Sequence, residues 1–141
     1  MPAEIADRED FGQFVDGYDT GVRYADDHFG RLLDCLEEHG VLNETLIVFS
    51  ADHGENLGEL NVYGDHTTAD DKTCRLPLVI NGPGVEPGVD DDFHYQLDLG
   101  PSLLDLAGVD HSAGWDGQSF ASSFTDGESR GRDYLVFGHG A

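Results

Sequence analysis

The chain has 141 residues, and its 29 Asp+Glu against 7 Lys+Arg give a formal net charge of -22 at pH 7. A surface this acidic repels nucleic acid and anionic membranes, which excludes both as partners. Because 38% of residues are hydrophobic and the acids run along the whole length, the chain reads as folded rather than as an acidic disordered tail. The charge suits high salt, where a Debye length of about 3 Å at 1 M relieves self-repulsion.

About one domain's length is enough to bury a core, but it is small for an α/β hydrolase with a complete active site, so a single partial domain spanning 1–141 is expected. No stretch approaches the ~20 consecutive apolar residues of a membrane helix, and Met1-Pro2-Ala3-Glu4 lacks the basic and apolar regions of a signal peptide. A cytoplasmic location is therefore expected. Cys35 and Cys74 form neither a disulfide framework nor a Cys-x-x-Cys or Cys/His metal spacing, and are expected as reduced thiols.

In chain order, Val22, Ala25, Phe29, Leu32, Leu33 and Leu36 fall at helical spacing and predict an amphipathic helix from about Tyr18 to His39, closed by Gly40 in a left-handed conformation. A short turn at Asn43 leads to a strand over Thr45–Ser50, whose apolar run suits a parallel sheet buried on both faces. Ala51 to Arg75 is polar and irregular. Leu78-Val79-Ile80 is a second short strand stopped by Asn81-Gly82-Pro83-Gly84, and Val85 to Asp92 reads as a surface loop. Pro101, the apolar Leu103, Leu104, Leu106 and Ala107, and then Gly108 mark a second helix. Tyr134-Leu135-Val136-Phe137 is expected as a last strand.

The chemistry concentrates where the Leu46-Ile47-Val48-Phe49 run ends on Ser50-Ala51-Asp52-His53-Gly54-Glu55. Catalytic and ligand-binding groups of α/β sheets collect beyond the carboxyl ends of strands, and a divalent cation accepts Asp oxygen together with His nitrogen. The competing reading of Asp52-His53-Gly54 alone is a hydrogen-bonded turn.

The order of landmarks resolves that choice. Gly30-Arg31-Leu32-Leu33, then Gly40, Asn43-Glu44-Thr45 through Asp52-His53-Gly54, Arg75-Leu76-Pro77-Leu78-Val79-Ile80 with Gly82-Pro83-Gly84, and Asp98-Leu99-Gly100-Pro101 through Gly108 together resemble the sulfatase family of the alkaline phosphatase superfamily. The resemblance runs from about Tyr18 to Phe120 and includes Asp116-Gly117-Gln118-Ser119-Phe120 after the last core helix. It implies an α/β fold, part of an alkaline-phosphatase-like sheet flanked by helices, and metal-dependent hydrolysis of a sulfate ester substrate.

The resemblance also implies roles. Asp52 and His53 occupy the family's metal-binding pair, for which calcium is the expected cation and magnesium or manganese the alternatives. His66 stands where many sulfatases place a lysine that contacts the sulfate or assists the leaving group. An imidazole, with an unperturbed pKa of about 6.5, would donate a hydrogen bond to a sulfate oxygen or protonate a leaving alkoxide there; the bland alternative is a surface histidine. Glu55 and Glu59 lie close enough to orient His53, but read more simply as a solvated charge run; Asp65, Asp70 and Asp71 read as acidic surface. Arg75, Asp26 and Asp27 are expected to be structural, and His28, His94, His111 and His139 to be packed or solvated.

The family's nucleophile segment, Cys/Ser-x-Pro-x-Arg, has no counterpart in the sequence, nor have two further aspartate ligands. The chain therefore looks like the C-terminal part of a sulfatase core, inactive alone, with an N-terminal segment or a partner chain needed to complete it. Related phosphodiesterases and phosphonate hydrolases share the Asp-His pair, and a non-catalytic remnant or subunit is the reading from a different class.

Overall fold

The computed structural model describes residues 4–111, 114–125 and 131–138. It opens on helix α1, Arg8–Glu38, which starts ten residues before the apolar periodicity because Asp7 caps it, its Oδ1 accepting from the amides of Glu9 and Asp10 at 2.8 and 3.0 Å. At the other end Gly40 adopts φ +69°, and the amides of Gly40 and Val41 satisfy the carbonyls of Glu37 and Leu36.

Strand β1, Ile47–Ser50, pairs with β4, Leu78–Asn81, in the register Ile47↔Asn81 to Ser50↔Leu78. The pairing is antiparallel, not the parallel arrangement expected from the apolar run. The chain between them folds into a small hairpin of β2, Asn56–Leu57, and β3, Tyr63–Asp65, followed by the short helix α2, Asp71–Cys74. That excursion carries no long helix over the sheet, so β4 returns beside β1 in the opposite sense. The residues of β1 are half-buried or exposed rather than buried on both faces.

A single-turn helix at Gln96–Asp98 runs into α3, Leu99–Leu106, and the last regular element is α4, Ser122–Thr125. The expected final strand does not form. Among the described residues, Tyr134–Phe137 has no strand partner; Val136 instead donates its amide to the Tyr95 hydroxyl at 2.6 Å, and that hydroxyl donates to the Val136 carbonyl.

The buried apolar core is Ile80, Phe120 and Ala121. Around it, Asp98 is 1% exposed and accepts from the Tyr95 amide, the Gln118 amide and the Arg132 guanidinium, each at 2.7 Å. The fully buried Ser102 hydroxyl donates to the Asp98 carbonyl and accepts from the Phe120 amide, which ties Asp116–Phe120 to α3. No residue of α1 is buried; it rests on the sheets through Phe29 against Phe49 and Phe11 against Tyr63. Val22, Tyr24, Leu32, Phe49 and Val79 stay exposed, so much of the apolar surface of α1 and of the β1–β4 pair is uncovered. Among the described residues no helix is long and apolar enough to cross a membrane.

Candidate active site

The segment after β1 is held from two sides. The Gln96 side-chain amide donates to the Ala51 carbonyl at 3.0 Å, and the Gly54 amide donates to the Thr73 carbonyl of α2 at 3.0 Å. A Cβ on Gly54 would stand 1.8 Å from the Lys72 carbonyl oxygen, so only glycine allows α2 to approach this closely. Asp52 and His53 are therefore presented between two anchored peptide groups.

Asp52 is exposed, at 88% of its side chain, and lines an open cavity of about 440 Å³ with Ser50, Cys74, His94, Gln96 and Phe120 among its walls. Its Oδ1 accepts from the His53 amide, and its Oδ2 lies 3.8 Å from His53 Nε2. His53 Nδ1 lies 2.9 Å from the Gly54 carbonyl, which only accepts, so Nδ1 is the donor there and Nε2 is the nitrogen that a metal would take from the neutral ring. Bonds of about 2.0–2.6 Å from one divalent ion place adjacent ligand atoms roughly 3–4 Å apart, and the 3.8 Å spacing meets that requirement. A six- to eight-coordinate cation would need further ligands beyond these two.

His66 is brought to the same place. Its ring stacks on that of His53, with centroids 3.7 Å apart and planes 18° off parallel, and its Nδ1 is 3.4 Å from Glu55 Oε2. It is exposed, at 47% of its side chain, with these two neighbours in contact. Glu55, read from the sequence as part of a solvated run, has only 20% of its side chain exposed, and its Oε1 is buried with no hydrogen-bond partner among the described residues. The available signal was spacing: side chains two apart on an extended chain point the same way, so Glu55 follows His53. Glu59 instead turns back on the chain: hydrogen bonds from its own backbone amide first, then from the Leu57 amide at 2.8 Å, hold its pKa below the usual carboxylate value.

Asp70 is more than acidic decoration. It caps α2 through the Lys72 amide and accepts from the buried Asn56 side chain, which also donates to Thr68. Hydrogen bonds from Thr68 first, then Asn56, lower its pKa to about 2. This bracket joins β2 to α2 and so sets where Glu55 and His66 meet. Asp65 orders the turn after β3 by accepting from Thr67, which lowers its pKa. Arg75 is exposed at the end of α2, and Asp26 and Asp27 are exposed on α1. His28 lies tilted against Tyr24, His94 pairs with Asp90 in the wall of the cavity that Asp52 lines, and His111 pairs with Asp105; His139 lies outside the described residues. Cys35 and Cys74 are free thiols.

Residues 1–109 match the sulfatase family profile. The chain belongs to the sulfatase family. It is 38% identical over 92 residues to a choline-sulfatase of Rhizobium meliloti (strain 1021), a match covering 65% of this chain and 18% of that protein. Among solved structures it resembles a phosphonate monoester hydrolase from Silicibacter pomeroyi, at 35% identity and TM-score 0.67, over 78% of this chain and 21% of that one. It also resembles a 2-O GAG sulfatase, at TM-score 0.82 and 23% identity, over 92% of this chain and 29% of that one. The fold is thus alkaline-phosphatase-like, and the matches span 18% to 29% of the length of these relatives. Sulfatases as a family use a divalent metal ion, and Asp52 with His53 supplies donors of the right kind.

Proposed function

We propose that this chain carries one side of the active site of a sulfuric ester hydrolase, with Asp52 and His53 as metal ligands and His66 as the group that meets the sulfate or the leaving alcohol. The observation that supports this reading best is the stacking of His66 on His53 at 3.7 Å, which sets a proton-donating imidazole against a metal-ligand candidate. When bound, the divalent cation, calcium by preference, would neutralise negative charge on the ester and on the attacking group.

The chain's own residues do the rest. The Gly54 carbonyl fixes the tautomer of His53, Gln96 and Thr73 hold the backbone on either side of the Asp-His pair, and Glu55 orients His66 from behind. His66 then donates a hydrogen bond to a sulfate oxygen or a proton to the departing alkoxide. No residue of the chain fits the family's nucleophile segment, so attack on sulfur requires a group from sequence beyond these residues or from a partner. The exposed apolar surface of α1 and the β1–β4 pair is consistent with such a covering segment.

A second reading, hydrolysis of a phosphonate or phosphate ester, draws on the 35% identity to the phosphonate monoester hydrolase. Turnover of matched aryl sulfate, aryl phosphate and aryl phosphonate esters by the protein isolated from its source cells separates the two. Preference for the sulfate is expected; preference for either phosphorus ester would replace the sulfatase reading. The 141-residue chain alone should show no turnover but should bind calcium, and Asp52→Asn or His53→Ala should weaken that binding by about tenfold or more.

A further inference from the structure

We infer that His53, Glu55 and His66 form a second, softer metal site that takes zinc-like transition ions and competes with the Asp52–His53 pair for His53. One ligand atom from each of the three side chains lies within 4.8 Å of the others. Two imidazoles and one carboxylate form a donor set suited to zinc and its neighbours, with a fourth position left for water. Asp52 and additional oxygens suit hard cations instead.

The donor atoms of the trio are close enough to share one ion. A tetrahedral ion with bonds of about 2.0–2.1 Å spaces its ligands about 3.3 Å apart. The separation between His66 Nδ1 and Glu55 Oε2 is already 3.4 Å, long for a charge-assisted hydrogen bond but fitting for two atoms on one ion. The stacked rings keep both imidazoles in the cluster, but with planes 18° off parallel one ring must turn about its Cβ–Cγ bond before both nitrogens face one ion; His53 Nδ1 lies against the Gly54 carbonyl, which leaves its Nε2 for the metal. Glu55 Oε1 is buried and unpartnered among the described residues, so the carboxylate has unmet acceptor capacity inside the cluster. The consequence for catalysis rests on the function proposed above: an ion seated on the trio ties up the ring that would face the leaving group and removes a ligand from the catalytic cation, so zinc would inhibit.

Cobalt(II) is the probe of choice, because its visible absorption is intense when four- or five-coordinate and weak when octahedral. Titration of the 141-residue chain should give the intense spectrum at one ion per chain, with zinc displacing the cobalt and excess calcium failing to do so. Glu55→Gln and His66→Gln should each weaken cobalt binding by about tenfold or more, while Asp52→Asn changes it by less than about twofold. Far-UV circular dichroism on each variant ensures that folded chains are compared. A weak octahedral spectrum, or a loss in Asp52→Asn equal to that in His66→Gln, would overturn the site. The calcium arm reads the other assignment: Asp52→Asn should weaken calcium binding and His66→Gln should not, and failure there counts against the Asp52–His53 pair while leaving the trio standing.

Discussion

Asp98→Asn probes the element that anchors the site from outside it. Asp98 Oδ1 accepts from Gln118 and Arg132, and Oδ2 accepts from Tyr95, at 2.7 Å each. An amide of the same shape keeps one acceptor oxygen and turns an NH2 group toward at least one of these donors. Leaving a buried donor unpaired costs about 1–3 kcal/mol. Removing one partner of a fully buried ion pair costs about 3–5 kcal/mol, and the partly exposed Arg132, stacked over the Tyr95 ring, lies at or below the low end of that range. Because the surviving oxygen keeps some of the contacts, the two effects overlap, and a total of about 3 kcal/mol is expected. At about 2–4 °C per kcal/mol for a chain near this size, Tm should fall by about 6–12 °C. Thermal unfolding followed by circular dichroism in concentrated KCl measures it, since screening leaves a buried pair largely intact. Arg132→Gln should cost a similar amount, and the double variant should cost about 1 kcal/mol or more less than the sum. A drop under about 2 °C, or strict additivity, would refute the assignment of Asp98 as the coupled centre of this network.

Gly54→Ala should destabilise the fold by about 1–3 kcal/mol and weaken calcium binding together, because its Cβ collides with the Lys72 carbonyl and α2 must move; chemical denaturation and calorimetry check the two effects. Ser102→Ala strips the Phe120 amide of its acceptor in a fully buried position and should cost about 1–3 kcal/mol in the same denaturation assay. For pH, the Asp70 carboxyl is held at about 2, below its unfolded value of 3.8, by Thr68 and Asn56. A depressed folded pKa contributes stability that is fully present above the unfolded value and is lost as pH falls through the folded one, so the contribution should fade between pH 3.8 and about 2. Asp70→Asn should therefore flatten the melting profile across that acid window; an unchanged profile would contradict the bracket joining β2 to α2.

The elements that the sequence determined by itself are those whose information is local. The α1 stripe, the left-handed Gly40, the β1 and β4 runs and α3 with Gly108 behind it were all legible, because spacing and punctuation encode them within a few residues. The position of Asp52-His53 just beyond the end of β1 was legible for the same reason. Strand direction was not, since an apolar run of four residues reads the same in a parallel or an antiparallel pair, and only the path of the intervening hairpin and α2 decides it. Tyr134–Phe137 has strand composition, but its backbone pairs with the Tyr95 hydroxyl, a partner far away in the chain. Glu55 shows the limit most clearly: a charge in a polar stretch is solvated by default. The folded chain leaves only 20% of its side chain exposed and sets its carboxylate 3.4 Å from His66, because burial is a property of what the rest of the chain places around a residue.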